Sequence, residues 1–201
     1  TLQPVTYPNG AYGNLKLPEA ETLLFKNATV WTNETQGVLK NTDVLVKHGK
    51  ISAIGQNLNS KKVRVIDATG KHLTSGIVDE HSHIAAASIN EAGQNSSAEV
   101  SIEDVVEADD IDIYRNLSGG VTTIQILHGS ANPIGGRSAI IKLKWGMSAE
   151  DLIYENSPKF IKFALGENVK QSKWGGYIRF PQTRMVVEQM YIDYFSMAKA
   201  Y

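Results

Sequence analysis

The stretch GIVDEHSHI, residues 76–84, decides how this chain is read. A short run of small and branched apolar residues leads into two histidines, His81 and His83, separated by one serine. In an extended strand successive side chains alternate between faces, so His81 and His83 project to the same side. Two imidazoles arranged this way form a metal claw, or they are core-edge histidines satisfied by backbone carbonyls. The motif is short enough to arise by chance, so the choice rests on its surroundings.

Upstream of this stretch the chain reads as short β-strands divided by turn residues. The runs TLLFKNATVW, DVLVKHG, KISAIG and VRVIDA alternate or cluster apolar residues, and HGK and ATGK supply turns. Closely spaced strands without helices predict a small antiparallel sheet or β-sandwich over residues 21–74. Residues 1–20, rich in Pro, Gly and Asn, predict an irregular arm.

Downstream the period changes. GIVDEH predicts a buried strand with the histidines at its C-terminal end. DDIDIYRNLSGG predicts a helix capped by Asp109 or Asp110, striped by Ile111, Tyr114 and Leu117 and closed by Gly119. VTTIQILHG predicts a second buried strand, and SAEDLIYE a short capped helix. KFIKFALGENVK predicts a third core strand. PQTRMVVEQMYIDYFSMAKAY predicts an amphipathic helix with Pro181 in its first turn and an apolar face of Val187, Met190, Tyr191, Tyr194, Phe195 and Ala198. Strand and helix in alternation predict an α/β unit with a parallel sheet over residues 75–201. Three strands cannot close an eight-stranded barrel, so the chain is expected to be the front part of something larger.

Composition narrows the class. The chain has 201 residues, 42% of them hydrophobic and 20% charged, with a formal net charge of −1. That is enough for one domain, or one domain with part of another. No basic run suggests nucleic acid, and no apolar run suggests a membrane span. There is no cysteine, which excludes disulfides, thiolate metal sites and a cysteine nucleophile. Asn-x-Ser/Thr sequons begin at Asn27, Asn33, Asn95 and Asn116 and carry meaning only in a eukaryotic secretory setting. The first residue is Thr1, and no signal peptide follows; a processed, exported bacterial protein is the expectation.

The order of motifs resembles one family. DVLVKHGKISAIG, then VIDATGKHLTSGIVDEHSH, then LSGGVTT is similar to the opening of the amidohydrolase superfamily, in its imidazolonepropionase-like and Xaa-Pro dipeptidase-like branch. LHGSANPIGGRSAIIKLKWG and KFALGENVK are similar to that branch as well. The resemblance runs from about Leu24 to the C-terminus. Ser75 stands where the family usually has proline. The resemblance implies a partial (β/α)8 TIM-like barrel preceded by a small β-sandwich. It implies one or two divalent metals, zinc first and iron or manganese as alternatives, at the barrel mouth. It also implies hydrolysis of a C–N bond in an amide, cyclic amide or dipeptide-like substrate by metal-activated water.

Carried onto this sequence, the resemblance makes His81 and His83 the metal ligands of the first barrel strand. The bridging ligand is expected from KFIKFALGENVK, where Lys162 and Glu167 are the candidates. Glu167, past the apolar run and nearer the reactive rim, is favoured as the third metal ligand; Lys162 is expected to pack its stem. His128 and Arg137 are candidate substrate contacts, with His128 equally able to hydrogen-bond the Gly-rich loop that follows it. Asp79 is expected to support the histidines. His48 and His72 are expected to be exposed in turns. No histidine follows His128, so the family's later histidines, and its late proton-handling aspartate, are expected from the rest of the barrel or from a second chain. The competing expectation is a non-catalytic fragment or binding subunit completed by another chain.

Overall fold

A computed structural model describes residues 4–170 and 179–201; residues 1–3 of the arm lie outside the described residues. The chain divides into two compact units, Leu17–Gly76 and Thr1–Lys16 with Ile77–Tyr201.

The Leu17–Gly76 unit holds one five-stranded sheet. Strands β1 (Leu23–Trp31), β2 (Val38–Lys47) and β3 (Lys50–Gly55) run antiparallel to their neighbours. His48 and Gly49 both take positive φ (49° and 70°), the geometry that a two-residue hairpin turn between twisted strands demands. Strands β4 (Arg64–Asp67) and β5 (His72–Leu73) then pair parallel with β1, β4 along its first half and β5 along its second. The expected antiparallel sandwich is thus replaced by a single mixed sheet. The cause lies in the connection over residues 56–63, which carries the chain from the β3 edge to the far side of β1. The buried Asp43 pins it: its carboxylate accepts from the Leu58 amide (3.0 Å) and the Asn27 amide (2.9 Å) and pairs with Lys26 (2.8 Å). Ala28 and Val30 of β1, Val44 of β2 and Ala68, just after β4, give the unit its core.

The larger unit is α/β. Strand β6 (Ile77–Ser82) pairs parallel with β7 (Val121–Ile126), and the connection between them contains helix α1 (Ile111–Ser118). Asp110 caps α1 by accepting from the Asp112 amide (2.9 Å), and Gly119 closes it, as the sequence predicts. Strand β8 (Ile134–Arg137) and strand β9 (Ala139–Lys142) follow; β9 returns antiparallel along β7. Helix α2 (Ala149–Leu152) carries a capping box of Ser148 and Asp151. Ile113, Ile124, Ile126, Ile141 and Leu152 are fully buried and form the core between α1, the sheet and α2.

Three expectations are corrected here. Strand β10 (Ile161–Phe163) does not join β6 and β7; it pairs antiparallel with β8 in a separate two-stranded sheet. Helix α3 (Val187–Ala200) starts six residues after Pro181, following a 3₁₀ turn over Arg184–Val186. It buries Val187 and Met190, while Phe195 stays exposed. Finally, Ile77 and Val78, in β6 at one edge of the three-stranded sheet, are 56% and 62% exposed and not buried. No helix among the described residues is long and apolar enough to cross a membrane.

The described part of the arm belongs to this unit. Tyr12 stacks on Tyr114 (4.8 Å between centroids), and its carbonyl accepts from Trp145 Nε1 (2.9 Å).

Candidate metal centre

Strand β6 ends at Ser82, which is buried, while His81 and His83 on either side of it turn to the open face. Their rings lie 5.3 Å apart between centroids and are inclined by 58°. Asp79 Oδ1 accepts from the His81 amide (3.1 Å), so this carboxylate fixes the backbone of the pair.

Lys162 arrives from β10. In that three-residue strand Ile161 and Phe163 face one side and Lys162 the other. Its side chain is buried, and Nζ lies 3.4 Å from His81 Nε2. Burial holds the Lys162 ammonium below the usual lysine range. Burial likewise pushes the His83 imidazole below its ordinary value, and Lys162, His81 and His128 act in the same direction. His83 is thereby biased to the unprotonated form that donates a lone pair.

Glu167 is not gathered with the histidines. It sits in the turn after β10, next to Gly166 (φ 73°), and pairs with Lys170. Among the described residues, no three His, Cys, Asp or Glu side chains come together closely enough to hold a metal ion. The structure brings together His81, His83 and Lys162 instead. The sequence contained this signal, since alternation puts Lys162 on the face opposite Ile161 and Phe163, but a lysine inside an apolar run reads more readily as a packed stem.

His128 follows β7, and the Leu127 amide bonds the Ser82 carbonyl (3.0 Å), so His128 lies beside the end of β6. It is 1% exposed. Nε2 accepts from the Glu91 amide (2.7 Å), and Nδ1 donates to the Gly129 carbonyl (2.8 Å). Both ring nitrogens are thus engaged by backbone groups. Gly135 and Gly136 let the ring fit, because a Cβ on either would meet it within 3.1 Å. Arg137 is exposed and donates to the Glu99 carbonyl (3.0 Å). His48 and His72 are exposed; His72 Nδ1 accepts from Trp31 Nε1 (2.8 Å).

Two residues to which the sequence pattern assigned no functional role hold the surrounding loops. The Tyr191 hydroxyl on α3 lies 2.5 Å from the Pro133 carbonyl and 2.5 Å from that of Ala164, and accepts from the Ala164 amide (3.1 Å). Arg179, buried, donates to the carbonyls of Ala131 (2.7 Å) and Phe180 (2.9 Å).

No protein-family model matches the chain. Among curated proteins it is 32% identical over 197 aligned positions to amidohydrolase tasK of Hapsidospora irregularis, an overlap of 81% of this chain and 20% of that protein. A stretch of 61 residues, 30% of this chain, is 48% identical to 14% of a dihydroorotase of Halalkalibacterium halodurans. Among solved structures, an amidohydrolase of Thermotoga maritima MSB8 shares 38% identity at a TM-score of 0.76, over 89% of this chain and 48% of that one. The chain belongs to the amidohydrolase superfamily and corresponds to the N-terminal portion of such proteins. It spans a fifth of the Hapsidospora protein and about half of the Thermotoga one.

Proposed function

We propose that this chain is the N-terminal part of a metal-dependent amidohydrolase that hydrolyses a C–N bond in an amide or cyclic amide. Residues 21–74 form its accessory β-domain and residues 75–201 the opening of a (β/α)8 barrel, with residues 1–20 as an arm. The observation that carries the proposal is the convergence of His81, His83 and Lys162 at the C-terminal end of β6, the end at which barrel enzymes place their chemistry. The exposed apolar edge of β6 is consistent with a sheet that continues beyond this chain. The amidohydrolase and dihydroorotase names among the relatives favour an enzyme over a non-catalytic subunit.

The donor set fits a divalent cation, zinc, iron or manganese, if Lys162 contributes an anion rather than an ammonium. His81 and His83 would supply imidazole nitrogens. The Lys162 amine would attack carbon dioxide: an N–C bond forms, one C–O π bond becomes the carboxylate, and the amine proton leaves to solvent. The resulting carbamate takes the role first assigned to Glu167. When bound, the cation supplies Lewis-acid chemistry toward an amide carbonyl and a water molecule. Asp79 keeps the His81 backbone in place. His128 holds the Gly-rich loop through Glu91 and Gly129, with a substrate contact limited to its ring edge. Arg137, exposed on β8, remains available to a substrate carboxylate. The proton-handling group would come from residues outside this chain.

Elemental analysis of the purified protein after exposure to zinc tests the proposal. About one divalent ion per chain is expected in the wild type, and none in His81→Ala/His83→Ala with an unchanged circular dichroism spectrum. Metal retained by the double variant, or absent from the wild type, would overturn it.

A further inference from the structure

Beside the candidate metal centre lies a cavity of about 220 Å³. It opens among residues of the connection from β6 to α1, and His128 lines it as well. Its walls are mixed: Ile89, Val100, Ile102 and Val105 supply apolar surface, and Ser88, Asn90 and Ser101 polar groups. Two carboxylates, Glu91 and Asp104, line it as well.

These two acids differ from their neighbours. Glu103 is paired with Lys159 (2.6 Å), whereas the Glu91 and Asp104 side chains have no hydrogen bond or ion pair among the described residues. Their backbones are nonetheless fixed. The Glu91 amide donates to His128 Nε2, and its carbonyl accepts from Asn132 Nδ2 (3.2 Å). Asp104 sits in the 3₁₀ turn capped by Ser101. Loops held this way leave only the side-chain rotamers of the two acids to be ordered by a ligand.

We propose that this cavity is a substrate subsite for an organic cation on an aliphatic stem, such as a lysine-type ammonium or an arginine-type guanidinium side chain. The apolar part of the lining matches the stem, and the exposed Glu91 and Asp104 carboxylates, unpaired among the described residues, match the charged head. The proposal rests on the reading of this end of the fold as the active-site face and names the substrate class it would accept.

The test is equilibrium binding to the chelator-treated protein, so that metal plays no part. The probes are Nα-acetyl-L-lysinamide, Nα-acetyl-L-argininamide and the uncharged Nα-acetyl-L-norleucinamide. At least one cationic probe is expected to bind about fivefold or more tightly than norleucinamide. Glu91→Gln/Asp104→Asn should abolish that preference without changing the melting temperature, and Glu103→Gln should leave it intact. Equal binding of all three probes, binding of none, or a preference that survives the double variant would overturn the proposal. Failure here leaves the metal content of the His81 and His83 pair untouched, so the two readings fail separately.

Discussion

Lys162 Nζ lies 3.4 Å from His81 Nε2, across 81 residues of sequence. Two strands that do not pair with each other, β6 and β10, bring these side chains together. On the proposed reading, this buried lysine facing an imidazole donor pair is the side chain on which a metal site would depend, in the place first expected for Glu167. Lys162→Ala is expected to weaken divalent metal binding by about 10- to 100-fold. Glu167→Gln is expected to change it by less than about threefold, because that carboxylate is turned to Lys170. Competition against a chromophoric chelator measures both. The reverse ranking would return the bridging role to Glu167.

The fit of His128 between two glycines sets a second expectation. A Cβ on Gly135 would lie 2.7 Å from His128 Nδ1 and 3.1 Å from its Cγ. The ring then has to shift, and the bond from the Glu91 amide is lost. Gly135→Ala is expected to cost about 1–3 kcal/mol in urea unfolding. It should also change the ¹⁵N shift of His128 Nε2, which now accepts a hydrogen bond. Unchanged stability and an unchanged shift would mean that the ring is not wedged there.

Much of this was legible in the sequence, and the failures have a common cause. The caps at Asp110 and Ser148, the His48–Gly49 turn and the shared side of His81 and His83 are local, set by a few neighbouring residues and a simple period. What misled was long-range pairing. Nothing near KFIKFALGENVK says that β10 pairs with β8 rather than with the parallel strands. Nothing in VRVIDA says that β4 returns parallel to β1. Tyr191 reads as a helix-face aromatic and nothing in the sequence pattern marks Arg179; only the folded chain shows their backbone carbonyl partners.

Asp43 gives the pH dependence. Burial alone pushes its carboxyl up; the Lys26 hydrogen bond, the Asn27 and Leu58 amides and the Lys26 charge outweigh that and leave it below the ordinary 3.8. A carboxyl lowered in the folded state releases its proton more readily there than when unfolded. Its stabilisation is therefore complete above about pH 4 and is lost as pH falls through the lowered value. Asp43→Asn is expected to destabilise the Leu17–Gly76 unit by about 2 kcal/mol at pH 7, and by progressively less below pH 4. Unfolding curves at stepped pH check this; a difference that grows on acidification would assign the effect to another group.

The contrast between β6 and β7 separates an edge from a core. Ile124 in β7 is fully buried, with β6 on one side, β9 on the other, and the core of Ile113, Ile141 and Leu152 around it. Val78, one strand away, is 62% exposed. Both sit in apolar runs of similar appearance, so sequence pattern alone assigns them equal weight. Deleting buried methyl groups removes transfer free energy and leaves a void, whereas deleting exposed ones removes little. Ile124→Ala is expected to cost about 3 kcal/mol, and Val78→Ala less than about 0.5 kcal/mol, in urea unfolding of this 201-residue chain. In a longer chain that carries the remainder of the fold, Val78→Ala should become costly if further strands cover β6. A Val78 cost that is already large in the 201-residue chain would show that the β6 face is covered here, by self-association or by residues of this chain itself. A cost that stays small in the longer chain would count against a barrel closed across that edge.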